Sequence, residues 1–146
     1  MAAVSRSRCR ELALQILYQA DIVGHRQGEV ARFWRHFHRS AKVPAYLQKL
    51  VDGVAAHQTE LDALIKQHSQ HWRLERMVAV DRNLLRLAAY ELLHHPEIPA
   101  KVVINEAVEL AKQYGTDLSG AFVNGVLDAV LRKLRADQPS VGDCRG

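Results

Sequence analysis

The sequence predicts an all-α fold, a compact bundle of six to seven helices, on three observations. Apolar residues recur at three- and four-residue spacing through successive segments, the period at which side chains share one helical face. The breakers Gly24, Pro44, Pro96, Pro99 and Gly115 fall where those segments end. No segment alternates apolar and polar residues with the two-residue period of a strand.

The first helix is expected from Ser5 to Ile22, with Leu12 or Ala13, Ile16, Leu17, Ala20 and Val23 at the spacing of one face, Ser5 or Ser7 capping its start and Gly24 ending it. A short helix over Glu29 to Arg39 would place Val30, Phe33, Trp34 and Phe37 on one face and a basic side outward. After Pro44, which suits a first helical turn, Leu47, Leu50, Val51, Val54, Leu61, Leu64 and Ile65 continue one stripe. That stripe predicts one long helix, loosened at Gly53. A loop around Gln70 to Arg73 leads to a helix from about Glu75 or Met77 to His94, and two prolines forbid its continuation. Leu84, Leu85, Leu87, Ala88 and Leu92 occupy most of its circumference, the pattern of a central helix. The next runs from Pro99 to Tyr114 and carries Val103, Ala107, Leu110 and Ala111 inward, with Gly115 after it. Thr116 or Asp117 would cap the last helix, which reaches about Arg135 with Phe122, Val126, Ala129, Val130 and Leu134 at core spacing.

A chain of 146 residues, 48% hydrophobic and 25% charged, suits one domain that buries a core without disulfides or metal. Residues 1–136 are expected to form it, and 137–146 a disordered tail. The formal charge of +4 leans toward an anionic partner. Cys9 and Cys144 lie near opposite ends, in segments expected to be exposed or frayed, and neither has a neighbour at metal-ligand spacing. A reducing compartment fits best. No apolar run approaches a membrane span, and Glu11 interrupts any signal-peptide core, so the cytoplasm is expected.

Arg6, Arg8 and Arg10 form a basic arm with no acid before Glu11. Guanidinium groups suit phosphate because their planar fork donates parallel hydrogen bonds and keeps its charge; the plain alternative is a solvated terminus. Phe122 also has two readings, a core residue by periodicity or a flat ring on which an unpaired base stacks. Asn124 and Gly125 sit badly in a helix. Close approach of another helix is the preferred explanation, with RNA contact the alternative.

Histidines are abundant, but His94 with His95 and His36 with His38 cannot converge from a helix, and only His68 and His71, with Glu75 beyond, approach ligand spacing. No metal, cofactor or catalytic residue is expected, since no phosphate loop or nucleophile elbow is present either. The segment Arg26 to Lys42 carries Arg26, Arg32, Arg35, Arg39 and Lys42 against one acid, Glu29. It is either an extension of an RNA surface or a solvated face.

Four stretches in order, Arg6-Ser-Arg-Cys-Arg-Glu-Leu-Ala-Leu-Gln-Ile-Leu-Tyr18, Arg86-Leu-Ala-Ala-Tyr-Glu-Leu92, Val102-Val-Ile-Asn-Glu-Ala-Val-Glu-Leu-Ala-Lys112 and Phe122-Val-Asn-Gly-Val-Leu-Asp128, resemble the NusB family of transcription antitermination factors. The resemblance runs roughly from Arg6 to Leu134 and is poorest between Gly24 and Val43. It implies a non-enzymatic factor that binds boxA-type single-stranded RNA of ribosomal RNA operons together with ribosomal protein S10, within a transcription elongation complex. By the same resemblance Arg6, Arg8, Arg10 and Phe122 bind RNA, with the arm and Phe122 side by side in one patch. Tyr18 and Asp81 match contacts for S10, although the family often has Glu where Asp81 stands. Two other readings stay open: the helical domain that precedes the catalytic part of some RNA cytosine methyltransferases, and a homodimeric scaffold whose RNA surface is masked.

Overall fold

The computed structural model describes residues 4–24, 32, 42–69 and 73–137. The helix expected over Glu29 to Arg39, the tail beyond Asp137, Cys144 and His71 lie outside the described residues, as does most of the basic segment. Among the described residues six helices form: α1 Arg6–Val23, α2 Ala45–Ala56, α3 Gln58–His68, α4 Ala79–His94, α5 Ala100–Tyr114 and α6 Ser119–Asp137. None of them is long and apolar enough to cross a membrane.

Because apolar side chains occupy most of its circumference, α4 becomes the axis, and every residue from Asn83 to Glu91 is buried. The other five helices surround it, with α1 on α2, α2 on α3, α3 on α6 and α6 on α5. Side chains close the ring between α1 and α5, where Ser7 and Arg10 donate to Glu106 and Tyr114 donates to Glu11. Two clusters result. One gathers Leu84, Leu85, Val103, Ala107, Val123 and Leu127, and the other gathers Leu12, Ile16, Leu47, Leu50, Leu61 and Leu87. At about 1.5–3 kcal/mol for each large buried side chain, these clusters dominate the favourable side of folding. Ion pairs fix the rotation of α4: Arg82 binds Asp21 of α1 at 2.9 Å through Nε, and Arg86 binds Asp62 of α3 at 2.7 and 3.1 Å.

The predicted long helix after Pro44 is two helices, and the break lies at His57 rather than Gly53. His57 leaves helical geometry at φ −112° and ψ 16°, its N–H closing α2 on the Gly53 carbonyl and its own carbonyl accepting the Leu61 N–H that opens α3. Periodicity misses this bend because both helices wrap the same axis and keep one apolar stripe. Gly53 is regular helix. A Cβ there would meet Tyr90 Cζ at 2.1 Å, so the glycine lets α2 approach the ring of α4.

Helix ends follow the sequence more closely. Ser5 Oγ caps α1 by accepting the Arg8 N–H at 3.0 Å, and Gly24 ends it at φ +92°. Pro99 precedes α5, as expected. Gly115 ends α5 without a left-handed backbone, at φ −97°; a Cβ would strike Ser119 Oγ at 2.4 Å. Of the two expected caps of α6, Thr116 is the one used, its Oγ1 accepting the Leu118 N–H while its own N–H donates to Ser119 Oγ. Met77 and Val78 are extended after a 3-10 turn at Leu74–Arg76, which delays α4 to Ala79. Cys9, expected to be exposed, is 1% exposed because α1 lies on α2 from its first turn. Burial raises its thiol pKa, which disfavours the thiolate.

Candidate nucleic-acid interface

The arginine arm divides into exposed and buried members. Arg6 lies over the Tyr46 ring, its Cζ 4.9 Å from the centroid, and Arg8 is exposed and paired with Glu11 at 2.5 Å. Exposed pairs of this kind contribute little and exchange readily. Arg10 is different. It is 4% exposed, with Nε and Nη2 on the two oxygens of Glu91 at 2.8 and 3.0 Å and Nη1 on Glu106 at 2.8 Å. The Tyr46 hydroxyl donates to the same Glu91 carboxylate, and burial together with that bond raises its pKa strongly. The expectation that Arg10 grips phosphate is therefore corrected: its guanidinium is committed to two carboxylates and anchors α1 to α4 and α5.

Phe122 is half-buried in the first turns of α6, where it lines a groove of about 270 Å³ with Arg76, Met77, Val78, Asp81, Thr116 and Leu118. Leu118, at the rim, is 77% exposed. The floor contains an unusual group. Asp81 is 7% exposed, burial raises its carboxyl pKa against the opposing effect of Ser119, and its Oδ1 has no hydrogen-bond partner among the described residues. Asp81 lies in the first turn of α4 and sits in the groove floor, because α6 starts directly over the start of α4.

A second groove of about 560 Å³ runs beside the first, between α1 and α5. Leu14, Tyr18, Ile22, Val23, Val80 and Tyr114 line it, and it is predominantly apolar. Tyr18 is 42% exposed in it. Val80 and Asp81, adjacent on α4, each face one groove, so Tyr18 and Asp81 stand in neighbouring depressions at the same end of the bundle.

Asn124 and Gly125 are exposed on the outer face of α6, and a Cβ on Gly125 would meet nothing within 4 Å. The preferred packing explanation is thus overturned: none of the described helices approaches there. The arm and Phe122 are not side by side either. The arm contacts Glu91 near the end of α4 and Phe122 neighbours Asp81 at its beginning, ten residues or about 15 Å of helix away. Between them lies the α1–α5 seam of Glu11, Gln113 and Tyr114.

The buried Arg10–Glu91–Glu106 network was missed from sequence, yet a signal exists. Arg10 falls on the stripe that continues through Ala13 and Leu17, and Glu91 on the one that includes Leu84 and Ala88. Opposite charges on two apolar stripes mark a buried pair.

The chain matches the family model described as NusB family over residues 7–132. It is 48% identical over 131 residues to a transcription antitermination protein NusB of Sorangium cellulosum, covering 89% of this chain and 94% of that one. A protein of the same name from Anaeromyxobacter dehalogenans is 51% identical over 127 residues, covering 86% and 89%. Among solved structures, T. maritima NusB superposes with a TM-score of 0.81 at 34% identity, covering 90% of this chain and 94% of that one. A structure of the antitermination factors NusB and NusE in complex with dsRNA gives 0.76 at 32% identity, covering 89% and 99%.

Proposed function

The chain belongs to the NusB family, and from that premise we propose that it is an RNA-binding transcription antitermination factor which takes boxA-type single-stranded RNA of ribosomal RNA operons together with ribosomal protein S10, inside a transcription elongation complex. The observation that carries the reading is the Phe122 groove. A half-buried ring on a rigid helix gives an unpaired base a flat surface, worth about 1–3 kcal/mol per base, and the exposed Gly125 lets a backbone come close one turn further on. Arg76 at the groove wall adds positive charge there. Arg6 and Arg8 bind phosphates further along the seam, while Arg10 holds the helix that carries them. The apolar trough at Tyr18 suits a protein surface, which supports S10 as its occupant; the NusE of the related complex is S10.

A titration of the purified chain against a boxA-type RNA and a scrambled control, each with and without S10, tests this. Preferential binding of the boxA-type RNA, tightened by S10, is expected. The Arg6→Ala, Arg8→Ala double variant should flatten the salt dependence by roughly 0.7 of a slope unit for each phosphate that is no longer neutralised. Equal affinity for the scrambled RNA, or an unchanged slope, counts against the reading.

A further inference from the structure

At the end of the bundle away from the Phe122 groove, the α2–α3 break meets the last turn of α4. His57 is the residue at the break, Glu60 stands in the first turn of α3, and His94 is the last residue of α4. His57 Nδ1 lies 3.5 Å and His94 Nε2 3.3 Å from the same oxygen, Glu60 Oε1, and one ligand atom from each of the three falls within 4.8 Å of the others. Ligands held tetrahedrally at about 2.0–2.1 Å from zinc stand roughly 3.4 Å apart. The two separations from Glu60 Oε1 match that spacing, and the three ligand atoms lie close enough for small side-chain rotations to complete the shell.

We propose that His57, Glu60 and His94 form a binding site for a borderline transition-metal dication of the zinc class, with water as the fourth ligand. Two imidazole nitrogens and one carboxylate oxygen select zinc, nickel or copper over magnesium and calcium, which require oxygen-rich shells. The His57 and His94 rings stack with centroids 4.1 Å apart and planes 28° from parallel, so one ring turns about its Cβ–Cγ bond to aim its nitrogen at the shared ion. All three side chains are between 31 and 56% exposed, which leaves room for that turn. His94 ends α4, where the carbonyl end of the helix dipole favours a cation. Sequence spacing hid the site because its ligands come from three helix ends, 34 residues apart between Glu60 and His94.

The bound ion joins the bend at His57 to the end of α4 beside Tyr90, whose ring fills the space over Gly53. Its effect is on stability. His94 lies thirteen residues from Asp81, about 20 Å along α4. The Phe122 groove is therefore remote from the ion, and because zinc binding is read without RNA the proposal stands or falls independently of the RNA reading.

The test is calorimetric titration and thermal melting of the untagged full chain with zinc chloride, with magnesium chloride as control. One equivalent of zinc should bind and raise the melting temperature, and magnesium should do neither. His57→Ala and His94→Ala should each weaken that equivalent tenfold or more, and Glu60→Gln, which keeps the side-chain shape, should weaken it while leaving the metal-free melting temperature unchanged. Absence of zinc binding overturns the proposal. So does zinc binding untouched by these three variants, since that would assign the metal to other histidines of the chain.

Discussion

At the C-terminal end of α4, Glu91 is 1% exposed and receives two hydrogen bonds from Arg10 and one from Tyr46, whereas at the N-terminal end Asp81, 7% exposed, keeps one oxygen without a partner among the described residues. Both are carboxylates buried on one helix. The first is saturated and closed, and its partners belong to the fold. The second is unsaturated and borders an open groove that holds a half-buried aromatic ring. Burying a charge without full pairing is costly, so it persists only where something other than packing keeps it. The contrast separates two arginine-arm residues that sequence alone treats alike: Arg10 serves the closed end, and Arg8 remains available.

Removing Arg10 should have the largest effect. Arg10→Ala leaves Glu91 buried and uncompensated, and a loss of about 3–5 kcal/mol is expected in denaturant unfolding. A loss below about 1 kcal/mol would show that Arg10 is free after all and erase the distinction between the ends. Phe122→Ala should weaken RNA binding by about 1–3 kcal/mol, read as affinity at constant salt, with the salt slope intact. A large fall in melting temperature with little change in RNA affinity would move Phe122 into the core.

Gly125→Ala is a sharper probe because its two effects have opposite signs. Replacing an exposed helical glycine should stabilise the fold by about 1 kcal/mol, while the added methyl hinders a ligand on that face. Stabilisation with undiminished RNA binding would take the outer face of α6 out of the interface. Asp81→Asn should give the smallest change. Burial raises the folded-state pKa of Asp81 above its unfolded value, so the native state holds the proton more tightly and wild-type stability falls as pH rises between the two values. The amide removes that penalty. A gain of up to about 1 kcal/mol at neutral pH, shrinking in acid, is expected in paired melts at the two pH values.

The helices were legible because each one repeats its apolar residues along its own length, and their ends were marked by Ser5, Gly24, Pro99 and Thr116. The break at His57 was not, since two helices curving around one axis keep the phase of a single stripe. Phe122 and Tyr18 were legible as candidates, and the structure lines a groove with each. What Arg10, Asp81, Asn124 and Gly125 do was not. Their roles depend on what another helix brings opposite them: Glu91 and Glu106 for Arg10, the start of α6 for Asp81, and, among the described residues, no side chain where a Gly125 Cβ would stand.

The sequence by itself determined a helical bundle around the segment that ends at His94, because periodic burial and end-capping are local properties that the order of residues encodes directly. The tertiary structure alone decided which charges are paired inside the bundle and which remain for a ligand. A buried ion pair, a close approach over a glycine and a shared metal-ligand spacing are distances between helices, and a distance between helices exists only once the chain has closed around its axis.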